Sequence, residues 1–257
     1  MVRTAAIGLF SIALACCIAS AQNRPASDPQ ALSYAAQSIA AMTGNVSISD
    51  VTLTGNVTWN GSETGTATLR ALGTGESRMD LALTSGTRTE IRDAQTGVPL
   101  GKWIAPNNAS GDFAYQNCFT DAVWFFPVLG SLAAGPNVVL LYIGQETRNE
   151  AAVQHIQSYV YQSGQSSSPT PQQLSTTDFY LDAATLLPVA AVFNAHPDND
   201  MSTNLSVEVD YSNYQAIGGV TVPTHIQRYL QGNLLVDVTI SSASFNTGLS
   251  LSVFAVN

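Results

Sequence analysis

The chain has 257 residues, 9 basic against 18 acidic side chains, a formal net charge of −9 and a charged fraction of only 11%. Its basic residues are scattered singly, with Lys102 the only lysine, which argues against a nucleic-acid partner or an anionic lipid surface. Ser, Thr, Asn and Gln supply the solubility that charges supply elsewhere, as is common in exported β proteins.

The first residues read as an export signal. Arg3 precedes an uncharged apolar run from Ala5 to Ile18, and Ala19-Ser20-Ala21 places small residues before a cut at Gln22. Residues 1–21 are therefore expected to be a cleavable signal peptide, with the mature protein in the periplasm or outside the cell. The run is too short to span a bilayer, which takes about 20 apolar residues, so no integral membrane span is expected. Cys16 and Cys17 offer lipid anchoring as a second route, each with half of a lipobox: Ala13 and Ala15 precede Cys16, Leu14 and Cys16 precede Cys17. Cleavage before Gln22 leaves Cys118 as the single thiol, which rules out an internal disulfide and suits a buried small side chain.

Residues 22–28 read as a linker, and residues 29–257 as one domain. Ser27 or Asp28 can cap a helix with Pro29 in its first turn, and Gly44-Asn45 ends it. Leu32, Ala36, Ile39 and Ala40 are expected on its apolar face. From Val46 the period changes to two: Val51, Leu53, Val57 and Trp59 alternate with polar residues, and Asn60-Gly61 marks a turn. Further alternating sets follow at residues 66–72, at Met79, Leu81 and Leu83, and at residues 87–92 and 101–104, as in an antiparallel meander. Residues 105–116 read as loop, and the stretch from Asn117 to Leu132 as short helical turns, apolar nearly all round. Strands resume over residues 138–143 and 153–161, with residues 163–173 as a low-complexity link. The remaining strands fall at residues 178–182, 187–193, 205–211, 220–230 and 234–242. The fold class is thus α+β, mostly β: a curved antiparallel sheet of about ten strands with an N-terminal helix.

The second half carries a resemblance. Asp178-Phe179-Tyr180-Leu181-Asp182, Leu187-Pro188-Val189, Val209-Asp210-Tyr211-Ser212-Asn213-Tyr214 and the hairpin from Ile217 to Ile226 follow one another as in the periplasmic LolA/LolB/LppX-like proteins. The resemblance implies an incomplete β-barrel, with the N-terminal helix and a short apolar helical insert packed over its concave face. It implies a non-enzymatic carrier of a lipid, an acyl chain or another hydrophobic small molecule. It also implies a basic residue that pins the lid, for which Arg70, Arg78, Arg88 and Arg92 are candidates by position. The large residues expected to line the cavity or lid are Trp59, Trp103, Trp124, Phe125 and Phe126. The alternative is a secreted structural β domain packed solid, in which these residues are plain core.

Chemistry leaves little trace in the sequence. No Gly-x-Ser-x-Gly or His-Glu-x-x-His occurs, and His155, His196 and His225 lack metal-ligand spacing. His196-Pro197-Asp198-Asn199-Asp200 lacks the Gly and Glu of a calcium loop and reads as a polar turn. Asp178 and Asp182, four apart on a strand, stand about 13 Å apart, too far for a glycosidase pair. No cofactor or metal is expected. An outer-membrane barrel is disfavoured by strands that are short and polar on both faces.

Overall fold

The computed structural model describes residues 25–44, 46–93, 100–118, 120, 137–162 and 171–256. The expected signal peptide at residues 1–21 and most of the expected apolar insert at 117–132, with Trp124, Phe125 and Phe126, lie outside the described residues.

Among the described residues, helix α1 (Pro29–Thr43) is followed by thirteen strands. They are β1 (Asp50–Trp59), β2 (Glu63–Leu72), β3 (Ser77–Leu83), β4 (Gly86–Asp93), β5 (Leu100–Ile104), β6 (Ser110–Asp112) and β7 (Val138–Arg148). Then come β8 (Ala151–Val160), the short helix α2 (Pro171–Ser175), β9 (Thr177–Asp182), β10 (Pro188–Ala195), β11 (Leu205–Ile217), β12 (Val220–Leu230) and β13 (Asn233–Phe245). All pair antiparallel in one unclosed, curved sheet ordered β6-β5-β4-β3-β2-β1-β13-β12-β11-β10-β9-β8-β7. The chain thus lays down one wing, β1 to β6, and returns at the far edge, β7. It then builds inward until β13 closes against β1. Strand β6 falls where the sequence reads as loop; its three residues carry too little alternation to register.

Strict alternation gives the sheet one apolar face. Val51, Leu53 and Val57 of β1, Leu69 of β2, Met79 and Leu81 of β3, Phe179 and Leu181 of β9, Val207 and Val209 of β11, and Val236 and Val238 of β13 share one buried cluster on the concave side. Helix α1 packs onto β12, β7 and β8 and contributes Ala31, Ala35 and Met42 to that cluster. Its Asp28 cap accepts from the Gln30 N–H at 2.7 Å, while the Asp28 N–H donates to the Leu140 carbonyl of β7 at 2.8 Å. The helix therefore starts where the edge strand fixes it.

The buried face of α1 differs from the expected one. Ala31, Ala35, Ser38 and Met42 face the sheet, whereas Leu32 is 41% exposed and Ala36 and Ala40 lie outward. Small side chains let the helix backbone approach the sheet closely, a gain that the wider stripe around Leu32 could not provide.

A latch closes the other wing. The Asp50 carboxylate accepts from the backbone N–H groups of Thr247 and Gly248 and from the Thr247 hydroxyl, each at 2.9 Å. The chain then crosses the convex face, where Phe254 buries against Leu72 and Ile91.

Candidate functional site

On β4 the inward positions break the apolar pattern. Arg88, Glu90 and Arg92 stand opposite Leu81, Met79 and Ser77 of β3, the register in which apolar side chains are expected. Glu90 is buried, and its Oε1 accepts from Arg88 Nε at 3.0 Å and Nη2 at 2.7 Å. Its Oε2 lies 3.6 Å from Nη1 of Arg228, which arrives from β12 on the opposite wing. Burial opposes the charge on Glu90, but Arg228, Arg88 and Arg92 outweigh it and hold the carboxyl below its ordinary value. Burial also brings the Arg92 guanidinium down to about 10 against the pull of Glu90.

Aromatic rings frame these charges. The Arg88 guanidinium lies 4.5 Å from the centre of the Trp59 ring, and that of Arg92 lies 3.5 Å from the Phe113 ring. Trp103 pairs with Glu90 across β4–β5 and with Gly111 across β5–β6. A Cβ on Gly111 would sit 2.9 Å from the indole, so this glycine gives the ring its place. Between the two wings lies a cleft of about 390 Å³, lined by Arg88, Trp103, Asp112, Phe113, Phe193 and Arg228 and also bordered by Ala195 and Asp198. Gln116 and Asn117 tie its floor to the β10–β11 loop. Gln116 donates to the Pro197 carbonyl at 2.9 Å, and Asn117 exchanges hydrogen bonds with the His196 backbone at 2.7 Å each way. The segment His196–Asp200 is a polar turn in which Asp200 accepts from Ser202 and Thr203.

The structure thus brings Trp59 and Trp103 to the same charged region. Of the four basic candidates, Arg88 and Arg92 point inward. Arg70 and Arg78 bind Asp80 on the convex face, at 2.7 and 2.8 Å. Arg228 was missed by motif reasoning. Its signal is an arginine in the inward phase of a strand whose inward residues include Val220, Val222 and Ile226. Cys118 is buried near Gly101 and Phe113, and burial pushes its thiol up despite the nearby Arg92.

Two histidine clusters lie on the convex face. His155 of β8 bridges Glu146 of β7 through Nδ1 at 2.7 Å and Asp178 of β9 through Nε2 at 2.8 Å, and it stacks on Tyr180. His225 of β12 contacts Asp237 through Nε2 at 2.9 Å and the Ser212 hydroxyl through Nδ1 at 3.3 Å. Among the described residues, no group of three or more His, Cys, Asp or Glu side chains could hold a metal, and no helix is long and apolar enough to cross a membrane.

An open antiparallel half-barrel with an N-terminal helix on its concave side is a LolA-like fold, and the chain has that fold. It is similar to an outer membrane lipoprotein-sorting protein domain from Vibrio parahaemolyticus, with a TM-score of 0.53 at 13% identity over 88% of this chain and 96% of that one. It is similar also to a DUF1329 family protein from Desulfovibrio piger, with a TM-score of 0.54 at 9% identity over 90% and 98% of the two chains. A LolA superfamily protein from Nitrosomonas europaea gives a TM-score of 0.50 at 12% identity over 88% and 97%. No protein-family model matches the chain, and no curated protein matches it either.

Proposed function

We propose that this protein is an exported, non-enzymatic carrier of a lipid or other hydrophobic ligand. The observation that carries the reading is the continuity between the apolar concave face and the cleft: Phe193 belongs to the main core cluster and also lines the opening. An acyl chain makes no hydrogen bonds, so it needs apolar volume with one open end; the cleft offers the opening, and Phe193 joins it to the apolar face. The likeness to a lipoprotein-sorting domain supports the same reading. In it, residues 1–21 direct export, residues 29–257 form the carrier, Trp103 walls the mouth and Trp59 backs Arg88. From the sequence alone, Trp124, Phe125 and Phe126 complete the apolar lining.

The test is to purify the protein from an exporting host and record its native mass before and after organic extraction. A bound lipid, or saturable uptake of a fluorescent fatty acid by the extracted protein, is the expected result. A protein that neither carries a lipid nor takes one up is a solid structural domain, and the proposal falls.

A second reading rests on the convex face, where Ser212, His225 and Asp237 stand in the order nucleophile, base and orienting carboxylate. It is acyl transfer, and it is tested by treating the protein with a fluorophosphonate. An adduct at Ser212 that disappears in His225→Asn supports it; an unmodified Ser212 rejects it.

A further inference from the structure

The cleft is more polar than an acyl chain requires. Arg228 keeps only 12% and Glu90 only 8% of its side chain exposed, and the pair stands where β10 and β3 offer apolar neighbours. Buried ion pairs seldom improve stability over apolar residues of similar size, so charges retained at the mouth of an apolar site point to recognition.

The signs of the charges narrow the ligand. Arg88 gives its Nε and Nη2 edge to Glu90 and lies against the Trp59 ring, which holds its remaining Nη1 end in place before any ligand arrives. A guanidinium end so held suits an oxygen of a phosphate or carboxylate. Asp112 and Asp198 are exposed and line the same opening as the aromatic rings of Trp103 and Phe113. Carboxylates beside aromatic faces suit an ammonium group, alkylated or not. A purely anionic group would meet the two aspartates, and a purely cationic group would meet the two arginines. A group carrying both charges meets complementary partners at each end. The volume, about 390 Å³, admits such a headgroup but not a whole two-chain lipid, and Phe193 and Ala195 lead from it toward the apolar core.

We propose that this cleft binds the headgroup of a zwitterionic amphiphile, its anionic group at Arg88 and Arg228 and its ammonium group at Asp112 and Asp198, with the chain passing Phe193 into the concave face. The inference rests on the carrier reading and specifies its ligand.

Four single-chain probes with the same dodecyl tail test it below their micellar concentrations, by tryptophan fluorescence and calorimetry: dodecylphosphocholine, dodecyl phosphate, dodecyltrimethylammonium and dodecyl maltoside. The phosphocholine probe is expected to bind at least about tenfold tighter than each of the others, and phosphocholine without a tail about a hundredfold weaker still. Arg88→Gln is expected to erase the advantage over the trimethylammonium probe alone. The double change Asp112→Asn and Asp198→Asn is expected to erase the advantage over the phosphate probe alone. Arg88→Lys, which keeps the charge, separates loss of the guanidinium from loss of fold. Binding of all four probes within about threefold of one another overturns the headgroup proposal and leaves the carrier reading standing. Tighter binding of the phosphate probe, or tail-free phosphocholine binding as well as the tailed form, also overturns it. Failure of every probe to bind removes the carrier reading and this proposal with it.

Discussion

Arg228 and Glu90 approach to 3.6 Å although β3, β2, β1 and β13 lie between their strands in the sheet. Flat sheets space neighbouring strands about 4.8 Å apart, so strands five steps apart would stand more than 20 Å from each other. The contact is therefore a direct reading of how far the sheet curls. It joins the two wings at the mouth of the cleft.

Removing one partner of this pair leaves the other charge buried. Arg228→Met leaves Glu90 its bonds from Arg88 and is expected to cost about 1–3 kcal/mol, whereas Glu90→Gln removes the carboxylate that both Arg88 and Arg228 approach and is expected to cost about 3–5 kcal/mol; the two changes together should cost less than their sum. Urea unfolding of the two single variants and the double variant checks this. Single and double changes that add independently would mean that the pair does not bridge the wings.

Stability should fall with rising pH in two separate windows. Asp210 is pushed up to about 6, chiefly by burial and then by Glu208, so its contribution is present below the ordinary aspartate range and lost as pH rises through about 6. For His155, burial lowers the pKa, but the bonds to Asp178 and Glu146 outweigh it, and the folded value is raised. That stabilisation is complete below the unfolded value of about 6.5 and is lost as pH rises through the higher folded value. Urea midpoints measured across this range should show both losses. Asp210→Asn should remove the lower one and His155→Gln the upper one; a profile unchanged by either variant would contradict the assignment.

Gly55 sits at the bulge where β1 meets β13, the seam that joins the first wing to the second. A Cβ there would lie 2.1 Å from the Thr239 carbonyl oxygen, which is backbone and cannot turn aside. Gly55→Ala is expected to cost about 3 kcal/mol, at the upper end for overpacking, measured as a drop in denaturation midpoint. Gly61→Ala, at an open turn with nothing within 4 Å of the added carbon, should cost less, even with the φ of +69°.

The Asp50 latch should matter most under acid. Burial opposes its charge, but the bonds from Thr247, Gly248 and Leu249 win and hold its carboxyl low, so its contribution is present above the ordinary carboxylate range and lost as pH falls through the folded value. Asp50→Asn should cost about 1–3 kcal/mol at neutral pH. Faster amide exchange in residues 247–256 would locate the loss, and unchanged exchange there would show that Asp50 does not hold this segment.

The sequence by itself determined the longer strands, because alternation is written residue by residue: Val51-Leu53-Val57 and Val207-Val209 name their inward face without any partner, whereas the three residues of β6 do not. It also determined the capped start of α1, since Asp28 and Pro29 act within one turn. It left the buried face of that helix open to error, because closeness of approach depends on the surface opposite and favours Ala31 and Ala35 over Leu32. The site belongs to the tertiary structure alone. Arg88, Glu90 and Arg228 are charges in the apolar phase of two strands some 140 residues apart, and in sequence they look like interruptions. Only the curl of the sheet, set by twist accumulated over six strands, brings them together into one charged cluster at the cleft.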